Sequence, residues 1–112
     1  MPYTKAHEAD GRNVLADSEK GELWFLRETL DTESLGFSVL AMEPNEEGMR
    51  HDHEDDQQEE IYYVVSGGVF VDFGDRRESL DEHEAIRISP DEERQIQNQD
   101  EFSKLVLVSA PA

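Results

Sequence analysis

Residues 51–68 read HDHEDDQQEEIYYVVSGG. The second half of this stretch decides the fold. Glu60–Ser66 is a run of aromatic and β-branched residues that stops at Gly67-Gly68, the pattern of a strand ended by a breaker. In an extended chain alternate side chains share a face, so Glu60, Tyr62, Val64 and Ser66 point one way while Ile61 and Tyr63 point the other. The first half is polar. Glu54–Gln58 reads as an acidic loop, and Met49–His53 as a short extended piece with Met49, His51 and His53 on one face.

Similar runs recur on both sides. Glu22–Glu28, Gly36–Glu43, Val69–Phe73, Arg77–Leu80, Ala85–Ser89, Arg94–Gln97 and Lys104–Ser109 read as strands. Turn clusters separate them: Pro44–Gly48, a tight hairpin at Gly74-Asp75, Asp81–Glu84, Pro90–Glu93 and Gln99–Glu101. No helix longer than a turn or two is expected. Short strands at this spacing predict an all-β, single-domain sandwich or barrel over residues 21–112, preceded by a polar N-terminal arm over 1–20. Trp24 and Phe25 fall on opposite faces of their strand, one expected in the core and the other under the arm or a partner subunit. His83 lies in a turn and is expected to be exposed; no role is assigned to His7.

Composition sets the partners. The chain has 112 residues, room for one small domain, and 28 acidic against 10 basic residues give a formal charge of −18. That balance excludes a phosphate-binding basic face and attraction to anionic membranes, so neither nucleic acid nor membrane is expected as a partner. No apolar run approaches the ~20 residues of a spanning helix. The opening MPYTKAHEADG lacks the apolar core of a secretory signal, which leads to an expected cytoplasmic location. With no cysteine there can be no disulfide, thiolate metal site or cysteine nucleophile. High charge with 36% apolar residues can mean disorder, but the regular strand runs argue against it. The reading preferred here is a halophilic protein, whose acidic surface is tolerated because strong salt screens its self-repulsion.

One group of residues has the chemistry of a site. His51 and His53, two apart on an extended segment, share a face, and Glu60 meets them if the acidic loop folds back. Two imidazoles and a carboxylate suit a divalent transition metal (Fe, Mn, Ni, Cu or Zn) and leave positions open for water or substrate. Oxygen-seeking magnesium and calcium would not select two histidines. An acidic loop with solvated histidines is the competing reading. No G-x-S-x-G, phosphate loop or nucleotide fingerprint is present.

From Gly48 to Asn98 the chain resembles the cupin superfamily of small β-barrels. His51-Asp52-His53, the loop EDDQQE, then Glu60, IYYVVS and Gly67 match the first cupin motif, although the loop is longer than usual and Gly48 lies closer to His51. Pro90 through Asn98 matches the second motif, with Asn98 at the asparagine position and Arg94 where the fourth ligand, a histidine, should stand. The resemblance implies a double-sheet jelly-roll barrel with an interior metal site, in a homodimer. An arginine stays protonated and cannot ligate a metal. Arg94 therefore grips an anionic ligand, or pairs with Glu60 in a metal-free scaffold, or turns outward. The expected function is binding or transforming a small, anionic organic molecule at a metal held by His51, His53 and Glu60. Arg94 would be the substrate anchor and Tyr62 a proton donor or a packing residue. As an enzyme it would be a metal-dependent oxygenase, isomerase or lyase; the alternative is a binding, sensing or scaffold cupin without metal. Fold alone does not choose among these.

The salt-adapted reading predicts a melting temperature that climbs between dilute buffer and molar salt. A flat thermal profile across that range would count against it.

Overall fold

The computed structural model describes residues 2–17 and 20–112. The strands are β1 (Arg12–Asn13), β2 (Glu22–Phe25), β3 (Gly36–Met42), β4 (Gln58–Ser66), β5 (Gly68–Asp72), β6 (Arg77–Asp81), β7 (Ala85–Ile88), β8 (Gln95–Asn98) and β9 (Ser103–Pro111). They form two antiparallel sheets, a larger one ordered β1-β2-β3-β9-β4-β7 and a smaller one ordered β6-β5-β8. The all-β, two-sheet architecture expected from the strand spacing is the one observed.

The core lies between the sheets. Leu40, Met42, Tyr62, Val64 and Leu105 from the larger sheet meet Val69, Val71, Leu80 and Ile96 from the smaller one. Period-two alternation is cleanest in β4, where Glu60, Tyr62 and Val64 are buried while Ile61, Tyr63 and Val65 are exposed. A register shift between Val64 and Ser66 ends the regular pairing with β9, and Gly67 then turns the chain into the smaller sheet. Gly67 holds φ +84°, and a Cβ there would lie 2.6 Å from the Phe102 carbonyl oxygen. The motif glycine is thus required by both backbone conformation and crowding.

The strand read as Glu22–Glu28 stops at Phe25, and Arg27–Leu30 forms one helical turn, α1. The cause is Leu26. Its amide donates to the Phe37 carbonyl as the last rung, its backbone leaves the extended region at φ −113° and ψ 2°, and its side chain is buried. Leu23, rather than Trp24 or Phe25, packs against the core; Phe25 is exposed with the Arg12 guanidinium 5.9 Å from its ring centroid. Before it, Glu8–Asp10 makes a 3-10 turn and β1 pairs with β2. Lys104 ties that turn to β9 through Glu8 at 2.9 Å.

The outer face of the larger sheet is apolar as well. Ile61 sits opposite Val108, Tyr63 opposite Val106, Val106 opposite Val39, and Val39 opposite Trp24. Ile61, Tyr63 and Val65 remain 42%, 38% and 38% exposed there.

Asn98 joins three segments at one end of the barrel. Its amide nitrogen donates to the carbonyls of Met42, Glu43 and Glu101 at 3.2, 2.9 and 2.8 Å, and its oxygen accepts from the Ser103 hydroxyl at 2.7 Å. Removing this buried amide orphans several backbone carbonyls at once. Asn98→Ala is expected to lose roughly 2–4 kcal/mol of stability. Urea unfolding checks this, and an unchanged midpoint would contradict the bracing role.

Candidate metal centre

The two motif segments are brought together by backbone pairing. His51 and Arg94 form an antiparallel bridge, each amide donating to the other's carbonyl at 2.9 Å, and Glu47 bridges to Gln97. The segment carrying H-x-H therefore runs as a further edge beside β8. Glu60 reaches the same place from β4, where it stands opposite Ile88 of β7 and Ser109 of β9.

All five residues singled out from the sequence converge on one atom. Glu60 Oε1 lies 2.6 Å from Arg94 Nη2, 3.1 Å from the Tyr62 hydroxyl, 3.2 Å from His53 Nε2 and 3.4 Å from His51 Nε2. One ligand atom from each of His51, His53 and Glu60 lies within 4.8 Å of the others. The two imidazole rings stand edge to face at 88° with centroids 5.1 Å apart.

The histidines are held from behind. His51 Nδ1 is 3.0 Å from the Met49 carbonyl oxygen, and His53 Nδ1 is 2.9 and 3.1 Å from the two carboxylate oxygens of Asp56. Carbonyl and carboxylate oxygens only accept, so each Nδ1 carries the proton. A ring whose single proton sits on Nδ1 has its lone pair on Nε2, the donor a transition metal takes, while a second proton on Nε2 would donate to Glu60 instead. The acid at position 56 was missed from the sequence. Its only signal there was its place in a loop longer than the cupin pattern.

Arg94 is fully buried. Besides Glu60, its guanidinium donates through Nη1 to the carbonyls of Glu92 at 2.6 Å and Ser89 at 3.3 Å, and through Nε to the Tyr62 hydroxyl at 3.4 Å. Of the three arrangements left open for this arginine, the structure has the pair with Glu60. Burial by itself would raise the Glu60 pKa, but hydrogen bonds from His51 and Arg94 and the arginine charge outweigh it and hold the carboxyl at about 2. The hydrogen bond to Glu60 raises the His51 pKa against the opposing effect of burial. Burial, reinforced by the Glu60 charge, pushes the Tyr62 phenol well above its ordinary value, so it stays protonated and donates to Glu60.

Solved structures share this architecture. A cupin protein from Bacteroides fragilis superposes with a TM-score of 0.78 at 25% identity, over 100% of this chain and 86% of that one. The polyketide cyclase RemF from Streptomyces resistomycificus gives 0.77 at 19% identity, over 97% and 80%. A sugar phosphate isomerase of the cupin superfamily from Silicibacter pomeroyi gives 0.71 at 17%, over 90% and 66%. The fold is a cupin fold. No protein-family model and no curated protein matches the sequence. Among the described residues no helix is long and apolar enough to cross a membrane.

Within this cupin barrel the Arg94–Glu60 pair also bears on stability. Removing one partner of a buried pair strands the other charge, at a cost of about 3–5 kcal/mol, whereas an apolar pair of similar volume restores most of it. Glu60→Ala is accordingly expected to unfold at much lower urea than the wild type, and Glu60→Leu with Arg94→Leu to recover. A Glu60→Ala variant as stable as the wild type would remove the pair from the fold's energetics.

Proposed function

We propose that this chain is a metal-binding cupin in which His51, His53 and Glu60 hold a divalent transition metal that receives a small anionic organic ligand. The observation that carries the reading is the pair of Nδ1 anchors, which turn both Nε2 atoms toward one carboxylate oxygen so that a cation could join all three. The donor set fits Fe, Mn, Ni, Cu or Zn, two nitrogens and one oxygen being a poor match for magnesium or calcium. When bound, the metal supplies Lewis acidity or an oxygen-activating centre, in keeping with an isomerase, lyase or oxygenase.

The charge of the site favours an anion. Two imidazoles bound as neutral ligands, the Glu60 carboxylate, a divalent cation and the buried Arg94 leave a net positive centre. A carboxylate or enolate ligand offsets that charge. Arg94 acts mainly through its field and by fixing Glu60, because its guanidinium is already bonded inward. Tyr62 keeps its proton and can hand a hydrogen bond to whatever displaces Glu60 from it. The same ion pair supports a second reading, a metal-free scaffold or sensing cupin in which Arg94 takes the place of the cation. The exposed apolar face carrying Ile61, Tyr63 and Val65 supports the expected homodimer.

Elemental analysis together with native mass spectrometry separates these readings. Untagged protein purified in molar salt without chelator is expected to carry close to one transition metal per chain, lost in the His51→Ala His53→Ala double variant, and to fly as a dimer. No metal in either sample after reconstitution would establish the scaffold reading, and a monomer at micromolar concentration would remove the dimer.

A further inference from the structure

The loop between His53 and Glu60 is longer than the cupin motif requires, and its extra length has a definite geometry. The Gln57 amide closes back on the His53 carbonyl at 2.7 Å, with Gln57 in the left-handed region at φ 53°. Asp52 caps the Glu54 amide at 3.1 Å, and the Gln57 side chain donates to the Glu54 carbonyl at 2.8 Å. From the other side the His53 amide donates to the Pro90 carbonyl at 2.8 Å. The loop is thus wound into a closed turn whose product is one contact, the Asp56 carboxylate against His53 Nδ1.

We infer that Asp56 is a positioning residue of the metal centre, fixing the His53 ring and its Nδ1–H tautomer so that Nε2 is presented to the metal. This inference rests on the metal reading above. The Asp56 side chain is 57% exposed, so the core does not need it, and solvent screens its charge. Its effect is orientation more than field. His51 receives the same service from a backbone carbonyl, which no side-chain substitution can remove. Carboxylate or carbonyl partners of this kind typically set metal affinity by about ten- to a hundred-fold.

The test uses the full chain as wild type, Asp56→Ala and Asp56→Asn, with Co2+ as the probe and a competing chelator reading affinity. Imidazole nitrogen NMR of the metal-free proteins at pH 8 reads the His53 tautomer. Asp56→Ala is expected to bind Co2+ about ten- to a hundred-fold more weakly and to lose the single Nδ1–H pattern. Asp56→Asn keeps an acceptor and is expected to restore both in large part. Wild-type affinity in Asp56→Ala would overturn the inference. If the wild type takes up no Co2+, the metal reading fails, and the NMR tests positioning by itself: an unchanged His53 pattern in Asp56→Ala would overturn it as well.

Discussion

A guanidinium with no exposure to solvent has to be compensated from within, and this requirement organises the centre of the barrel. Arg94 takes its counter-charge from Glu60 on β4, a further contact from the Tyr62 hydroxyl, and two backbone carbonyls from the turn before β8. These partners come from the larger sheet and a connecting loop, while Arg94 itself immediately precedes β8 of the smaller sheet. The ion pair therefore fixes how the sheets sit across the site as well as the charge of Glu60. An isolated pair of this kind adds little net stability over an apolar one. Its physical consequence is geometric, because one carboxylate oxygen is pinned where both imidazoles can reach it.

That pinning shapes what the site can do. In the cupin pattern this chain resembles, the position of Arg94 is that of a fourth ligand, a histidine. Here a permanent cation stands there and is paired with the ionised Glu60. A metal added to this arrangement brings charge that an anionic ligand must balance. The same residues are therefore consistent with a metal-dependent binding site and with an inert ion-paired core, and the distinction lies in whether Glu60 can serve Arg94 and a metal together. The backs of the histidines favour the first, since rings held in a common tautomer with converging lone pairs are prepared for a Lewis acid.

The charge distribution separates two scales. Almost all of the acidity lies outside, where it sets solubility and salt response, while Glu60 is the only acidic residue in the buried interior among the described residues. On the outer face of the larger sheet the apolar strip of Ile61, Tyr63, Val106 and Val108 is bordered by the Glu59–Arg87 ion pair.

Much of this was legible in the sequence because its signals are local. Alternation over Glu60–Ser66, the breaker at Gly67 and the hairpin at Gly74 depend on neighbours a few residues apart, and most of the strands and the all-β class followed from them, although the order of strands in the sheets did not. The H-x-H spacing and the later Glu60 also named the centre, since extended geometry puts alternate residues on one face. What the tertiary structure decided is where long-range partners compete. Leu26 ended a strand by turning into the core. Asn98 proved to be a brace between segments, bonded to carbonyls far away in sequence. Arg94, left open between an anion clamp, a pair with Glu60 and an outward turn, bonds inward to Glu60 and the Ser89 and Glu92 carbonyls, and Asp56 found His53 because the loop closed on itself. Periodicity records which way a side chain faces; which of several acceptors a charged group meets depends on distances that only the folded chain sets.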